Sequence, residues 1–240
     1  MWRVFIGLLI GGGVMVYFGY TGYRVSQGTS SEPALIELAD LEKNMAANAG
    51  DLDNPYIRIG KHWGEFPLGI YEWEGRENEQ VSAVSKVNHF YYPLTSYNHP
   101  YNKEWEKVNA KYGDKKIPDS EVPRLKYFAV LVKTEQYSTV GAIPNEPRER
   151  ATLDGLVINR IDSLDGDEKA LIRSDFPNID FDKVLILEEG RKPQSVTLSL
   201  VLMLGGIGLI IGRVVLGLKI KARGSNKAAR PIPQPAIAPT

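Results

Sequence analysis

Side chains that could carry catalysis or bind a metal are few in this sequence. Its three histidines, His62, His89 and His99, stand neither in an HExxH motif nor four residues apart, and the chain has no cysteine. Zinc sites and thiol nucleophiles depend on such residues. The glycine-rich loop of nucleotide-binding proteins and the serine motifs of hydrolases are also missing. We therefore predict no catalytic, metal-binding or cofactor-binding residue, and expect His89 to be a partly buried, hydrogen-bonded residue of a strand.

Two groups of acidic residues are candidate sites. Glu72 and Glu74 lie two residues apart in a predicted strand, where both would project from one face. A close carboxylate pair can supply an acid and a base, but a solvated strand face explains the pair more simply, and we favour that interpretation. The stretch 162–168 lacks the oxygen spacing of a calcium-binding EF-hand loop. It predicts instead a turn in which Asp165 caps a helix over 167–175.

The densest group of candidate contact residues lies between residues 88 and 105, which include six aromatic side chains. Aromatic rings anchor protein interfaces and stack on sugars or lipid headgroups. Alternation along a predicted strand would bury half of them as core. Tyr97, Tyr101 and Trp105 lie beyond that strand, in a polar connection of a length that is usually functional or mobile. We predict that these three residues contact a partner.

The elements that must position these residues are mostly strands. Short apolar runs of period two, separated by turn residues, predict strands over 55–60, 68–74, 82–94, 125–135, 139–143, 152–161 and 183–189. Apolar residues at helical spacing predict helices over 34–44, 103–112 and 167–175. The fold class we predict is α+β: a β-rich, mostly antiparallel domain that could close into a barrel.

Each end of the chain carries a long apolar segment. The first runs from Val4 to Tyr20, and the second from about Ser195 to Leu218. Since about 20 apolar residues cross a bilayer, we predict two transmembrane helices. A cleaved signal peptide is the alternative for the first, but bulky tyrosines stand where small residues would be needed for cleavage. Arg213 interrupts the second, and we expect it to extend to the membrane surface rather than serve as a functional intramembrane charge.

Glycines recur every four residues in both apolar segments. Gly7 and Gly11 have this spacing in the first, and Gly208 and Gly212 have it in the second. Small residues at this spacing let membrane helices approach closely. We therefore predict that the two helices pack as a hairpin through these four glycines. Pairing with a partner's helix, and the general abundance of glycine in membrane helices, are the alternatives.

Charge is distributed unevenly along the chain. Residues 25–194 hold all 29 acidic residues but only 21 of the 29 basic ones. An acidic middle argues against binding to nucleic acid. Five basic residues and no acidic one lie between Lys219 and Arg230, which indicates a cytoplasmic end. Two spans then place both termini in the cytoplasm and the middle outside a cell inner (plasma) membrane, or the corresponding membrane of an organelle.

These features divide the chain into five parts. They are an N-terminal anchor over 1–24, a tether over 25–33, an extracytoplasmic domain over 34–194, a second transmembrane helix over 195–218, and a basic, proline-rich tail over 219–240.

The order of parts and four short motifs resemble the Surfeit-locus (Shy-type) assembly factors for cytochrome oxidase. The matching pieces are YYPL at 91–94, FAVLV at 128–132, the prolines 144 and 147, and TLDGLV at 152–157. After the LV of its strand the family has a run of asparagine, arginine, glycine and tryptophan, where this chain has KTEQYS. The resemblance implies an assembly or chaperone role for a membrane complex, and it transfers no site residue.

From the sequence we expect a two-pass membrane protein that acts as a non-enzymatic scaffold or assembly factor. Its expected partners are the lipid bilayer and other membrane proteins or further copies of itself, with no cofactor. One alternative is an envelope enzyme that acts on lipid or glycan through Glu72 and Glu74. Another is a sensor that signals through the helical hairpin.

Overall fold

The computed structural model forms two compact units, residues 1–27 with 194–240 and residues 28–193. The residues that the structure describes are 2–44, 52–75, 80–161, 164 and 166–227. Their helices, in chain order, are α1 (Trp2–Gln27), α2 (Leu38–Lys43), α3 (Pro100–Tyr112), α4 (Ile158–Ile161), α5 (Gly166–Asp175) and α6 (Val196–Lys227). Their strands are β1 (Ala34–Ile36), β2 (Tyr56–Ile59), β3 (His62–Gly64), β4 (Ile70–Trp73), β5 (Val87–Thr95), β6 (Val130–Thr134), β7 (Arg148–Arg150), β8 (Leu153–Val157) and β9 (Leu185–Glu189).

The first unit is a hairpin of α1 and α6. Both helices contain a segment long and apolar enough to cross a membrane, Ile6–Gln27 with 22 residues and Val196–Leu216 with 21. Their large apolar side chains are mostly exposed; Tyr17 is 64% exposed and Leu204 68%. The predicted pair of terminal apolar helices is therefore confirmed. The end of the predicted tail, residues 228–240, lies outside the described residues.

The hairpin packs along other glycines than the predicted ones. A Cβ atom built on Gly12 would lie 2.9 Å from the carbonyl oxygen of Gly206, and one on Gly19 would lie 2.7 Å from that of Ser199. The two backbones therefore meet at these positions. A Cβ atom on Gly7, Gly11, Gly208 or Gly212 would meet nothing within 4 Å among the described residues, so these four glycines do not form this contact between the two helices. Each residue turns a helix by about 100°, so neighbouring glycines face different directions.

The second unit is a mixed α/β domain built on one mostly antiparallel sheet. Its strand order is β1-β2-β8-β9-β6-β5-β3-β7, with β4 also paired to β5. Among the described strands, only β1 with β2 and β6 with β9 run parallel.

The sheet curls back on itself because the β2–β8 and β3–β7 pairs are two parts of one continuous antiparallel pairing. β2 pairs with β8, and β3 pairs with β7 in the same register, from Tyr56 opposite Leu156 to Gly64 opposite Arg148. β3 also pairs with the end of β5. The ends of the sheet are thereby brought together, and the domain is a half-barrel.

Alternation along the strands separates two cores. Inward-facing residues such as Ile57, Tyr92 and Leu187 fill the concave side of the half-barrel. Outward-facing residues of β5, β6 and β9 form a second cluster, which Ile172 of α5 covers. The sheet is thus covered on both faces where β5, β6 and β9 meet.

Most predicted strands and helices are present, with three corrections. The strand predicted over 139–143 is a 3₁₀ turn, Val140–Ala142, whose neighbour Thr139 makes only an isolated bridge. The helix predicted over 34–44 is divided between β1 and α2, since β1 adds to the sheet edge beside β2. The strand predicted over 152–161 ends at Val157 and continues as α4. The proposed cap Asp165 lies outside the described residues.

Candidate functional site

The segment that the sequence singled out forms the junction between β5 and α3. β5 ends at Thr95, and α3 begins at Pro100, a residue suited to the first helical position because its missing N–H needs no partner there. His99 is the N-cap: its Nδ1 accepts a hydrogen bond from the backbone N–H of Tyr101 at 3.2 Å. The junction is thus a capped strand-to-helix turn.

A buried carboxylate, that of Glu65, and a half-buried one, that of Glu42, hold this turn. Thr95 Oγ1 donates to Glu65 Oε1 at 2.7 Å. The backbone N–H of Ser96 donates to Glu42 Oε1 at 2.8 Å, and the Ser96 hydroxyl donates to the other oxygen of the same carboxylate. Asn102 donates to Thr95 Oγ1 at 3.0 Å and to the carbonyl of Ser96 at 2.8 Å. We call these five residues the polar junction.

Burial changes the acidity of both carboxyl groups in the polar junction. Glu65 is only 1% exposed, and burial raises its pKa above the ordinary value, against the smaller effect of the bond from Thr95. Burial likewise raises the pKa of Glu42, and the two bonds from Ser96 oppose it. A low-polarity surrounding disfavours the charged form of an acid. Such groups occur in active sites and in structural networks alike.

The three predicted contact residues lie in different surroundings. Tyr101 is 7% exposed and meets Trp105 edge-to-face, with 6.4 Å between the ring centroids. Trp105 itself is half-buried on α3. Tyr97 is half-buried on the outer side of the sheet. The structure therefore leaves Tyr97 and Trp105 within reach of a partner, whereas Tyr101 supports α3.

Tyr97 belongs to a small surface cluster that the sequence did not indicate. Its ring lies 5.8 Å from that of Trp63, at an angle of 50°. The ammonium group of Lys61 lies 4.6 Å from the centre of the Tyr97 ring, a cation–π arrangement. Lys61 also pairs with Glu149 at 2.8 Å. We call Lys61, Trp63, Tyr97 and Glu149 the aromatic patch.

A separate cleft of about 450 Å³ lies on the outer face of β4, β5 and β6, against α5. Glu168 closes one wall, since it accepts from Tyr91 Oη at 2.5 Å and from Lys133 Nζ at 2.7 Å. Glu72 lines the cleft opposite its cross-strand neighbour His89.

The second carboxylate of the predicted pair does not line this cleft. A bulge between Glu72 and Trp73 shifts the register, and β4 ends before Glu74. No group of three or more acidic or histidine residues among the described ones is arranged to hold a metal ion. Both carboxylates are exposed, which fits the solvated interpretation that the sequence favours.

Sequence reasoning missed the acidic members of the polar junction. Glu42 lies 54 residues from Ser96, and Glu65 lies 30 residues from Thr95. No local motif reports such pairings. The run TSYNH was a usable signal, because hydroxyl and amide side chains crowded after a strand are typical of a turn that bonds its own backbone.

Comparison of the chain with protein-family models, curated proteins and solved structures gives no match. The resemblance to the Surfeit-locus factors is therefore still a prediction.

Proposed function

We propose that this chain is a two-pass membrane protein whose α/β domain is a non-enzymatic scaffold or assembly factor, and that the aromatic patch contacts its partner. The observation that carries the proposal is the half-buried Trp63–Tyr97 pair, in which Trp63 lies on β3 and Tyr97 follows the end of β5, the strand that pairs with β3. Aromatic residues on a rigid support lose little entropy on binding and are frequent anchors of interfaces. Trp105 of α3 offers a further aromatic contact.

The exposed apolar surface of the hairpin supports the membrane part of the proposal. Soluble proteins rarely leave large contiguous apolar surfaces in contact with water. Side chains such as Tyr17, Phe18, Val201 and Leu204 are all more than half exposed. A lipid bilayer of about 30 Å accommodates helices of this length and composition.

The orientation and location follow from the basic residues after the second span. Cytoplasmic loops are enriched in lysine and arginine, and five such residues lie between Lys219 and Arg230. Both termini are then cytoplasmic, and the α/β domain lies outside an inner (plasma) membrane. The resemblance to Surfeit-locus assembly factors agrees with this arrangement and points to other membrane proteins as partners.

The proposal is tested by crosslinking in native membranes. A photoreactive amino acid at Tyr97, followed by mild detergent extraction and mass spectrometry, should recover a membrane protein in stoichiometric amounts. Replacing Trp63 and Tyr97 by alanine should lower the recovery of that partner at least ten-fold, since anchor residues contribute about 2 kcal/mol or more each.

A matched variant separates loss of contact from general damage. Tyr112→Ala removes a half-buried tyrosine at the far end of α3 and should leave partner recovery unchanged. If the patch variant recovers as much partner as the wild type, the patch is not the contact surface.

The cleft favours an enzyme as the second candidate. It brings Glu72 beside His89, residue types that serve as general acid and base. Glu72→Gln and His89→Gln, made separately, should each abolish turnover of lipid or glycan substrates in a membrane screen, while Glu74→Gln should not. Unchanged turnover in both cleft variants removes this candidate.

A further inference from the structure

Beneath the aromatic patch, the same strands turn two titratable side chains inward. Lys61, Trp63 and Glu149 face outward, whereas His62 and its cross-strand neighbour Arg150 alternate to the inner side. His62 has no exposed surface at all. Any change at His62 therefore acts on the backbone that carries the patch.

The imidazole of His62 is held in its neutral form. Its Nδ1 lies 2.6 Å from the carbonyl oxygen of Gly60, so Nδ1 carries the proton and donates it. Nε2 is buried and has no hydrogen-bond partner in the described part of the chain. A second proton would therefore add a buried N–H without an acceptor, which costs free energy.

Among the described residues, the charged groups around His62 offer it no free counter-ion. Arg150 pairs with Glu189 of β9, whose side chain is only 5% exposed. Tyr92 of β5 donates to the same carboxylate at 3.4 Å, and Tyr137 packs edge-on against the neighbouring Phe66 ring. Burial, and then the positive charge of Arg150, lower the pKa of His62 below its ordinary value, while the Gly60 carbonyl and Glu189 act in the opposite direction.

We infer that His62 is an acid-sensitive latch of the β3–β7 pairing on which the aromatic patch stands. When His62 takes up a proton, it competes with Arg150 for Glu189. Arg150, whose side chain is 23% exposed, is then displaced toward solvent. The pairing of residues 62–64 with 148–150 loosens, and Trp63 loses its fixed position beside Tyr97.

One consequence of the latch rests on the proposed function: acid should weaken partner binding. The latch itself is a property of the domain and can be measured without a partner. Failure of the latch and failure of the binding proposal are therefore distinguishable.

The test is amide hydrogen exchange of the full chain in nanodiscs between pH 7.5 and pH 4.5. Intrinsic exchange varies with pH, so the protection of β3 and β7 amides is compared with that of β6 and β9 amides in the same sample. In the wild type, the relative protection of β3 and β7 should fall at least ten-fold as the pH drops below 6.5. Constant relative protection would overturn the inference.

Two variants identify the titrating group. His62→Asn keeps a side-chain N–H for the Gly60 carbonyl but does not titrate, so its relative protection should stay constant with pH. His99→Asn keeps an acceptor for the N–H of Tyr101 and removes the other buried histidine. Its β3 and β7 amides should lose protection as those of the wild type do. If β3 and β7 of His62→Asn still lose protection at the same pH, another group titrates, and the latch is contradicted. The same holds if His99→Asn no longer loses this protection.

Discussion

At the scale of single residues, the domain places ionisable groups where solvation is poor and holds them with hydroxyl and amide partners. Glu65 accepts from Thr95, whose hydroxyl in turn accepts from Asn102. Such a network specifies one arrangement of the turn but leaves a carboxyl group that prefers its proton. The polar junction therefore fixes the start of α3 at some cost in stability at neutral pH.

Glu65→Gln tests this cost. Because burial raises the pKa of Glu65 in the folded protein, the folded state binds the proton more tightly than the unfolded state does. The unfolding free energy therefore falls as the pH rises from about 4.5 toward neutral. The glutamine variant should show a smaller fall and should be at least as stable as the wild type at pH 7, as measured by denaturant titration of the full chain in detergent.

Two further variants complete the Glu65 experiment. Glu65→Ala leaves the buried Thr95 hydroxyl without its acceptor and should cost about 1–3 kcal/mol. Glu104→Gln, an exposed change on α3, should leave the pH dependence of the wild type in place. A glutamine variant with an undiminished pH dependence would show that Glu65 is not the group responsible.

Residue patterns predict whether a side chain is buried better than they predict which residue it bonds. Trp105, Val108 and Tyr112 lie at helical spacing in the sequence, and all three are half-buried on α3. The burial of Tyr101 does not follow from it, because it depends on how the β5–α3 turn folds back over Glu65 and the sheet. Long-range pairs such as Glu42 with Ser96 leave no periodic trace in a single sequence.

At the scale of elements, α5 is joined to the sheet by a largely buried ion pair as well as by Ile172. The side chains of Lys133 and Glu168 are 15% and 13% exposed. Removing one partner of such a pair leaves an uncompensated charge and costs about 3–5 kcal/mol. We expect Lys133→Met to cost about 3 kcal/mol of unfolding free energy and to speed amide exchange throughout α5.

A double variant and an exposed pair serve as controls for α5. Lys133→Met combined with Glu168→Leu removes both charges and should recover at least half of the loss. Lys111→Met breaks the exposed pair with Glu121, whose side chains are 58% and 38% exposed, and should change stability by no more than about 0.5 kcal/mol. A loss of stability in Lys111→Met as large as that in Lys133→Met would contradict the role of burial in the Lys133–Glu168 pair.

The hairpin offers a matched test of its own packing. A side chain on Gly206 would lie 2.6 Å from the Gly12 carbonyl oxygen, whereas one on Gly208 would meet nothing within 4 Å. Gly206→Val should separate the helices and cost about 1–3 kcal/mol, seen as faster amide exchange in α1 and α6 in micelles. Gly208→Val adds the same side chain and should exchange as the wild type does, and equal effects of the two variants would contradict this interface.

Periodicity identified most elements because their packing follows from it. The continuous apolar run FAVLV at 128–132 is typical of a central strand. Its last three residues begin β6, which lies between β5 and β9 and is covered on both faces. Short segments at the edges were less predictable. Residues 34–36 have helical spacing but join the sheet beside β2, where tertiary pairing outweighs local preference.

At the scale of the whole molecule, the sequence divides into a hairpin and a domain with opposite chemistry. The acidic residues are confined to the domain, and the longest apolar segments are confined to the hairpin. A chain of this kind is expected to fold its domain in water while its helices are held by lipid. In the proposed orientation, the basic residues after the second span set the direction of insertion.

Labelling of single introduced cysteines tests that direction. The chain has no native cysteine, so any label on it reports the introduced residue. Lys103→Cys places a thiol on the exposed surface of α3, and Thr240→Cys places one at the end of the chain. In intact cells or spheroplasts that express the chain, a membrane-impermeant maleimide should label the first variant, and should label the second only after permeabilisation. Replacing Lys219, Lys221 and Arg223 by glutamine should expose part of the Thr240→Cys population, because fewer basic residues then retain that end in the cytoplasm. Labelling of both sites in intact cells would contradict the two-pass arrangement, and labelling of Thr240→Cys alone would reverse its direction.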